Sequence, residues 1–367
     1  MCGIVGYWDK RGADKSVVER MAMRIQHRGP DDAGVWLNEE RDLALAHWRL
    51  SIIDLTPASH QPMISPCGQF ALVYNGEIYA RRSLFLARDR MGEKPLYYGC
   101  SSSSFLFGSE LRSLVAHPHW KGDIDRNALT LYMRHNYVPT PWSIYQGISK
   151  LPPAHFVVVR EAGQVVSETQ CYWDLSQVAE SGAADTKGSL EELIDELDEL
   201  LRDAVVRRMA ADVPLGAFLS GGFDPTTVAA LMQAQSVRPV KTFIISFHEK
   251  GYNEAVHAKV VARHLGTDHT KLYVSPEEAM AVIPRLPAIW DEPFSDSSRI
   301  PTLLVSLLAR RHVTVSLSGD GGDELFAAIN GIPRAIRFGR LCVYCRHRYD
   351  DYWEGLCRFC LARYLKS

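Results

Sequence analysis

The sequence predicts two domains of different class: a sheet-dominated α+β domain over 1–175, then an α/β domain with a doubly wound parallel sheet from 190 onward. Three observations carry this. The first half is broken into short strand-like runs separated by turn residues, as in an antiparallel domain. From 190 the period lengthens and strands alternate with helices, which implies βαβ units. Between the two, "SQVAESGAADTKGS" (176–189) is small, polar and aperiodic, and reads as a linker.

The expected strands of the first domain are 3–8, 43–48, 70–74, 84–87, 96–98, 104–107 and 156–160. After the linker, Ser189 with Glu192 makes a capping box, and Leu190, Leu193, Ile194, Leu197, Leu200, Leu201 and Ala204 then recur at helical spacing. "GAFL" (216–219) is a buried-strand run before a helix at 226–235. "TFIISF" (242–247) precedes a helix at 253–265, "KLYV" (271–274) a helix at 277–289, and "VTVSL" (313–317) is the last strand. Ligands of such sheets gather at the carboxyl ends of strands. Two runs of glycine and acid fall there, "SGGFD" (220–224) and "SGDGGDE" (318–324). The stretch "YARRSL" (79–84) joins two apolar runs without a hairpin signature.

Apolar residues make up 46% of the chain and charged residues 23%, as in soluble globular proteins. A formal charge of −2 gives no reason to expect nucleic acid or an acidic surface as partner. No run of 18 apolar residues suggests a membrane span, and the start has no signal-peptide pattern, so a cytoplasmic location is expected. The cysteines at 2, 67, 100 and 171 are scattered and read as reduced.

Removal of Met1 would make Cys2 the terminal residue, its α-amine beside its thiol. An amine with a pKa of roughly 7.7–8.0 can accept the thiol proton, so nucleophile and base lie on one residue. An isolated Met-Cys start is more simply a cysteine near a chain end. Here "RIQHRGPDDAG" (24–34), "HWRLSIIDL" (47–55), "QPM" (61–63) and "YNGEIY" (74–79) follow in order. Together these motifs resemble the glutamine amidotransferase domain of the N-terminal-nucleophile class, as found in asparagine synthetases. The resemblance implies an αββα fold in which Cys2 attacks the glutamine side-chain amide, forms a thioester and releases ammonia. It also implies that Arg49 clamps the glutamine α-carboxylate, a task suited to a bidentate guanidinium. Leu50, Ser51, Ile52, Ile53 and Glu77 would line the pocket, and Asn75 and Gly76 would donate to the oxyanion. Taken alone, Arg49 also reads as a surface arginine and Asn75-Gly76 as a hairpin turn.

In that family several dozen residues, including an aspartate that binds the glutamine α-amino group, separate "NGEIY" from the run seen here as "ARDRMGEKPLYYG" (87–99). Here the join follows within a few residues of Tyr79, and no residue between Tyr79 and Phe85 can replace that aspartate. The domain is expected to be shortened near 80–84, with weak or absent glutaminase activity. A charge-assisted hydrogen bond of roughly 1.5–3 kcal/mol would be lost.

"FLSGGFDPTT" (218–227), read as strand, turn and helix, resembles the pyrophosphate loop of PP-loop ATP pyrophosphatases, where glycines and a helix N-terminus cradle an anion. "DEPFSDSSRIPT" (291–302) and "VTVSLSGDGGDELF" (313–326) resemble the ATP-binding domain of asparagine synthetases. The resemblance implies ATP contacts from Leu219, Ser220, Gly221, Gly222, Asp224, Ile245, Ser318 and Gly319, with Mg²⁺ on Asp224 and Asp323. Asp224 alone also reads as a helix N-cap. Two departures stand out. Pro225-Thr226 replaces the family's Ser-Ser, removing one N–H and one hydroxyl, and after Phe326 the expected Gly-Gly-Tyr is Ala-Ala-Ile. The second domain is therefore set at 190–326 and treated as truncated.

The remaining 327–367 reads as a divergent tail rich in Arg and Cys. Cys342, Cys345, Cys357 and Cys360 have the C-x2-C-x11-C-x2-C spacing of a zinc site, and eight basic residues outweigh three acids over 334–367. Foreign sequence is the favoured reading of the tail, with a zinc knuckle or free cysteines as alternatives. The family reaction adenylates aspartate with ATP and amidates it with glutamine-derived ammonia. It gives asparagine, glutamate, AMP and pyrophosphate. Another carboxylate acceptor, an inactive remnant and a nucleotide-binding protein remain alternatives. The resemblance is compatible with a homodimer.

Overall fold

The structure is a computed structural model that describes residues 1–38, 40, 42–74, 77–80, 83–160, 164–165, 168–185, 188–248 and 254–322. It divides into two compact units, one of Met1–Val178 with Pro284–Asp296, the other of Ala179–Ile283 with the chain from Ser297 onward.

The first unit contains β1 (Gly3–Asp9), α1 (Lys15–Met23), β2 (Asp32–Leu37), β3 (Leu43–Arg49), β4 (Met63–Ile64), β5 (Phe70–Val73), β6 (Glu77–Ala80) and β7 (Ser83–Ala87). It continues with β8 (Tyr97–Ser101), β9 (Ser104–Gly108), α2 (Leu111–Val115), α3 (Arg126–His135), β10 (Ile148–Lys150), β11 (His155–Arg160), β12 (Gln164–Val165) and β13 (Gln170–Cys171). One antiparallel sheet has the order β10-β8-β9-β1-β3-β2, the other β12-β11-β7-β6-β5-β4. Side chains alternate across a strand. Ile4, Trp8, Leu43, Leu45, Phe105 and Phe107 therefore point from the first sheet into a core shared with Ala71, Val73, Leu84, Leu86, Val157 and Val159 of the second. The intervening Val5, Tyr7, Ala44, Ala46 and Leu106 face Val18, Met21, Ile25, Leu111, Leu114 and Ala128 of the helical layer. The described residues thus supply a helix layer, a sheet and a second sheet of the expected αββα stack.

The join at 80–84 is a β-hairpin. β6 pairs antiparallel with β7, with Ala80 opposite Ser83, and only residues 81–82, outside the described set, lie between them. The sequence gives no hairpin signal because strand pairing on both sides, not turn chemistry, sets this register. Another departure concerns 176–189. Instead of an irregular linker, α4 (Leu175–Asp185) forms, nucleated by Asp174, whose carboxylate accepts from the backbone of Ser176 and Gln177. The boundary between units nevertheless falls within this stretch.

The second unit carries α5 (Leu190–Met209), β14 (Leu215–Phe218), α6 (Phe223–Ala234), β15 (Lys241–Phe247), α7 (Ala255–Leu265), β16 (Asp268–Val274), α8 (Pro276–Ala281), α9 (Arg299–Arg310) and β17 (Val315–Leu317). The Ser189–Glu192 capping box opens α5 as expected. All pairings in the order β16-β15-β14-β17 are parallel. Leu219 and Ile244 pack with Ala255, Ala258 and Ala262 of α7, whereas Phe243 and Ile245 pack with Val305, Leu308 and Ala309 of α9. Helices on both faces make the sheet doubly wound. The single helix expected over 277–289 is instead α8 followed by a 3-10 turn, Ile283–Ala288, because Pro284 and Pro287 each lack the N–H that an α-helix would use. The four cysteines of the tail and Asp323 lie outside the described residues. Among the described residues, no helix is long and apolar enough to cross a membrane, and no cluster of His, Cys, Asp and Glu is arranged to hold a metal.

Candidate active sites

The first candidate site forms where β1 meets the end of β3. Gly3 lies opposite Trp48 in the antiparallel register, which brings Cys2 beside Arg49 and Leu50. The half-buried Cys2 Sγ lies 3.8 Å from the Leu50 carbonyl. Gly29 crosses close beneath. A Cβ on it would stand 2.4–2.6 Å from the backbone of Trp48, Arg49 and Leu50, so only glycine fits. Its neighbour Arg28 donates through Nε to the Cys2 carbonyl at 3.0 Å and through Nη1 to Glu110 Oε1 at 2.8 Å. Asp31 accepts from the Ser51 backbone N–H at 2.8 Å and tethers the loop following Arg49. "RIQHRGPDDAG" contained Arg28, Gly29 and Asp31, but nothing in its spacing assigned them roles.

Arg49 is buried and turned onto its own loop. Its Nη1 donates to the Thr56 carbonyl at 3.1 Å, and its Nη2 to the carbonyls of Ile53, at 3.3 Å, and Asp54. The carboxylate clamp implied by resemblance would have to share the guanidinium with these carbonyls. Asp54 is itself fixed. Hydrogen bonds from Ser59, then Thr56, hold its carboxyl down to about 2. Ile53 is exposed and Ile52 half-buried at the loop's outer side. Asn75 and Gly76 lie outside the described residues, and of Glu77 only the backbone is described, as the start of β6. His47, on the same strand as Arg49, is buried. Burial, with a smaller push from Arg49, outweighs the pull of Asp32 and depresses its pKa to about 4.

The second candidate site lies at the carboxyl ends of the adjacent parallel strands β14 and β17. The buried Leu219 donates its N–H to the Phe243 carbonyl at 2.9 Å, continuing β14 into the turn. Gly221 takes φ +87, the left-handed region, and a Cβ there would meet the Ala258 backbone at 2.9 Å. Gly222 differs. Its φ is −70, and an added Cβ would find nothing nearer than 3.5 Å. The fold itself does not require glycine at 222, since an added Cβ would make only ordinary contacts. Gly222, not Asp224, is the N-cap of α6. Asp224 sits in the first turn because the helix begins three residues earlier than its periodicity suggested. Pro225 also falls in that turn, where its missing N–H is an orphan in any case.

The two glycine loops touch. A Cβ on Gly319 would lie 2.7 Å from the Pro225 nitrogen, and one on Gly322 2.4 Å from Asp224 Oδ2. The Asp224 carboxylate therefore sits against the second loop. Ser318 Oγ donates to Asp320 at 2.9 Å. Ile245 is half-buried on the neighbouring strand β15 and packs toward α9. Of the residues expected here, the fold brings Leu219, Ser220, Gly221, Gly222, Asp224, Ser318 and Gly319 to one end of the sheet. An oxygen donor between two glycine loops and a helix N-terminus suits a magnesium-bound polyphosphate.

Comparison with known proteins gives two family matches. The asparagine synthase model matches 196–359, which extends past 326 into the tail. The glutamine amidotransferase model matches in two pieces, 1–84 and 80–173, that meet at the short β6–β7 hairpin. The putative glutamine-hydrolysing asparagine synthetase 2 of Methanocaldococcus jannaschii is 33% identical, over 89% of this chain and 75% of its own length. Its 395 aligned positions against 89% of 367 residues leave about 70 positions with no residue of this chain opposite. Glutamine-hydrolysing asparagine synthetase 1 of Bacillus subtilis is 30% identical over 90% of this chain, and amidase chry2 of Gibberella zeae 26% over 89%. The chain spans 59% of the length of each of these two.

Proposed function

The chain belongs to the glutamine-hydrolysing asparagine synthetase family, and from that premise we propose that it is an ATP-dependent, amide-forming ligase using glutamine as nitrogen donor. Cys2 is the nucleophile toward the glutamine amide, and Asn75 and Gly76 are the oxyanion donors. Arg49, Leu50, Ser51 and the loop to Ile53 form the α-carboxylate side of the pocket. At the other site, Ser220, Gly221 and Gly222 receive the pyrophosphate, while Leu219, Ile245, Ser318 and Gly319 face the nucleoside. Mg²⁺, held by Asp224 and Asp323, would neutralise phosphate charge during adenylation of the acceptor. Aspartate is the acceptor by family, and the product is asparagine. A cytoplasmic setting and a homodimer accord with this reading.

The observation that carries the proposal is the pairing of two constellations in one chain. A second residue with a thiol lies against the Arg49–Leu50 turn, and two glycine loops meet around Asp224. The short hairpin at 80–83 supports a weakened glutaminase, since no residue between Tyr79 and Phe85 replaces the family's aspartate. The test measures glutamate release and asparagine formation with glutamine or with free ammonia as nitrogen source. Cys2→Ala is expected to abolish the glutamine-dependent rate and preserve the ammonia-dependent one. No amide product from either source would refute the ligase reading.

A further inference from the structure

Segment Pro284–Asp296 folds as part of the first unit, although the sequence places it deep in the second domain. Two of its three acids, Asp291 and Glu292, bond to that unit. Arg112 donates its backbone N–H to Asp291 Oδ2 at 2.9 Å and its Nε to Asp291 Oδ1 at 2.6 Å. The rest of the Arg112 guanidinium caps the Ala288 and Ile289 carbonyls at 2.5 and 2.9 Å. Glu292 accepts from the Ile144 N–H at 2.8 Å and pairs with Lys150 at 2.5 Å. The segment is thus held by charge-assisted bonds on Asp291 and Glu292, and Ser295 adds a backbone bond to the Asn136 carbonyl at 2.7 Å.

Arg112 has a second role. Its Nε lies 3.0 Å from Glu110 Oε2, an ion-pair contact without hydrogen-bond alignment. The other oxygen of Glu110 accepts from Arg28, which holds the Cys2 carbonyl. His27 also reaches Glu110 Oε1, at 3.1 Å, from the exposed side. The Arg28 side chain is only 8% exposed and that of Glu110 15%, so neither charge has water as an easy substitute partner. A continuous line of contacts therefore runs Asp291, Arg112, Glu110, Arg28, Cys2. The links are side-chain contacts except the last, which ends on the Cys2 backbone carbonyl.

We propose that Glu110 is a positioning residue for Cys2, acting through Arg28, and that Asp291 completes it by fixing Arg112. The inference rests on Cys2 being the nucleophile toward glutamine. It adds that the nucleophile's backbone is set only when the 284–296 segment is seated. Positioning a reacting group affects the rate of the chemical step more than it affects substrate binding, and a displacement of about 1 Å can cost up to roughly 100-fold.

The test uses the full-length chain with Glu110→Gln, Asp291→Asn and the conservative Asp291→Glu. Two quantities are read: kcat and KM for glutamine hydrolysis, and the iodoacetamide alkylation rate of Cys2 relative to the exposed Cys67, by mass spectrometry. In Glu110→Gln and Asp291→Asn, kcat is expected to fall about 10-fold or more with KM within about twofold. The Cys2:Cys67 ratio should move by at least about threefold, with Asp291→Glu restoring both. Should Glu110→Gln fail to fold, the Asp291 pair decides. An unmoved ratio in the folded variants, or a rise in KM at constant kcat, overturns the proposal. A ratio that moves in a chain with no glutaminase activity refutes the glutamine reading and leaves the positioning role standing.

Discussion

Gly222→Ala separates a glycine the fold needs from one that a ligand needs. The backbone at 222 has φ −70, and the added methyl would meet the Ser220 hydroxyl and the Pro225 ring no closer than 3.5 Å, which is ordinary contact. Alanine is a poorer N-cap than glycine by about 1 kcal/mol, and restriction of the unfolded chain returns about 0.4–1 kcal/mol. These effects offset, so the melting temperature should stay within about 4 °C of wild type. A methyl group intruding on a phosphate seated against the loop costs about 1–3 kcal/mol by overpacking. That is roughly a 5- to 150-fold rise in the Kd for ATP–Mg²⁺. Isothermal titration and thermal denaturation on the same preparation read both quantities. Wild-type affinity in Gly222→Ala would place the anion elsewhere, and a collapse in melting temperature would mean that the loop's glycine is structural after all. Gly221→Ala, with φ +87 and a backbone atom at 2.9 Å, should lose stability as well as affinity.

Two other perturbations test the first unit. His47 and His117 are both buried, and burial above all depresses each to about 4 from an ordinary 6.5. Below pH 6.5 the unfolded chain takes up their protons first, so stability present above 6.5 is lost down to pH 4, by up to about 3 kcal/mol per residue. Denaturant titrations at pH 7, 5.5 and 4.5 should show this slope, and His47→Gln should flatten it. Arg49→Ala would release the carbonyls of Ile53, Asp54 and Thr56, at a cost of about 2–4 kcal/mol. Accelerated proteolysis within 50–56 and a lower melting temperature are expected. Unchanged cleavage would show that the loop does not depend on the guanidinium.

Local chemistry was legible in the sequence wherever one short stretch contains its own explanation. Ser189 and Glu192 cap a helix three residues apart, and the glycines of "SGG" sit where a strand turns into a helix. The helix within 176–189 was not legible because Asp174, which starts α4, lies just outside that aperiodic stretch. The break at 283–288 was missed because Leu and Ile keep helical spacing through prolines that cannot. The Cys2 relay was illegible for a different reason. Arg28, Glu110, Arg112 and Asp291 belong to no common period, and only the sheet order and the return of the chain at 284 bring them together. Gly29 lies in the "RIQHRGPDDAG" motif, yet its need for close backbone approach appears only once β3 is beside it.

The return of Pro284–Asp296 to the first unit has a bearing on biosynthesis. Residue 178 leaves the ribosome 118 positions before residue 296, a delay on the order of ten seconds at roughly 5–20 residues per second. During that interval Arg112 and Lys150 have no Asp291 or Glu292 to pair with. Until then Arg112 has only Glu110 as an acidic partner and Lys150 lacks Glu292, so these contacts close only once 284–296 has been made. Under the proposed role of Asp291, the backbone of Cys2 is set only after most of the second unit has been synthesised.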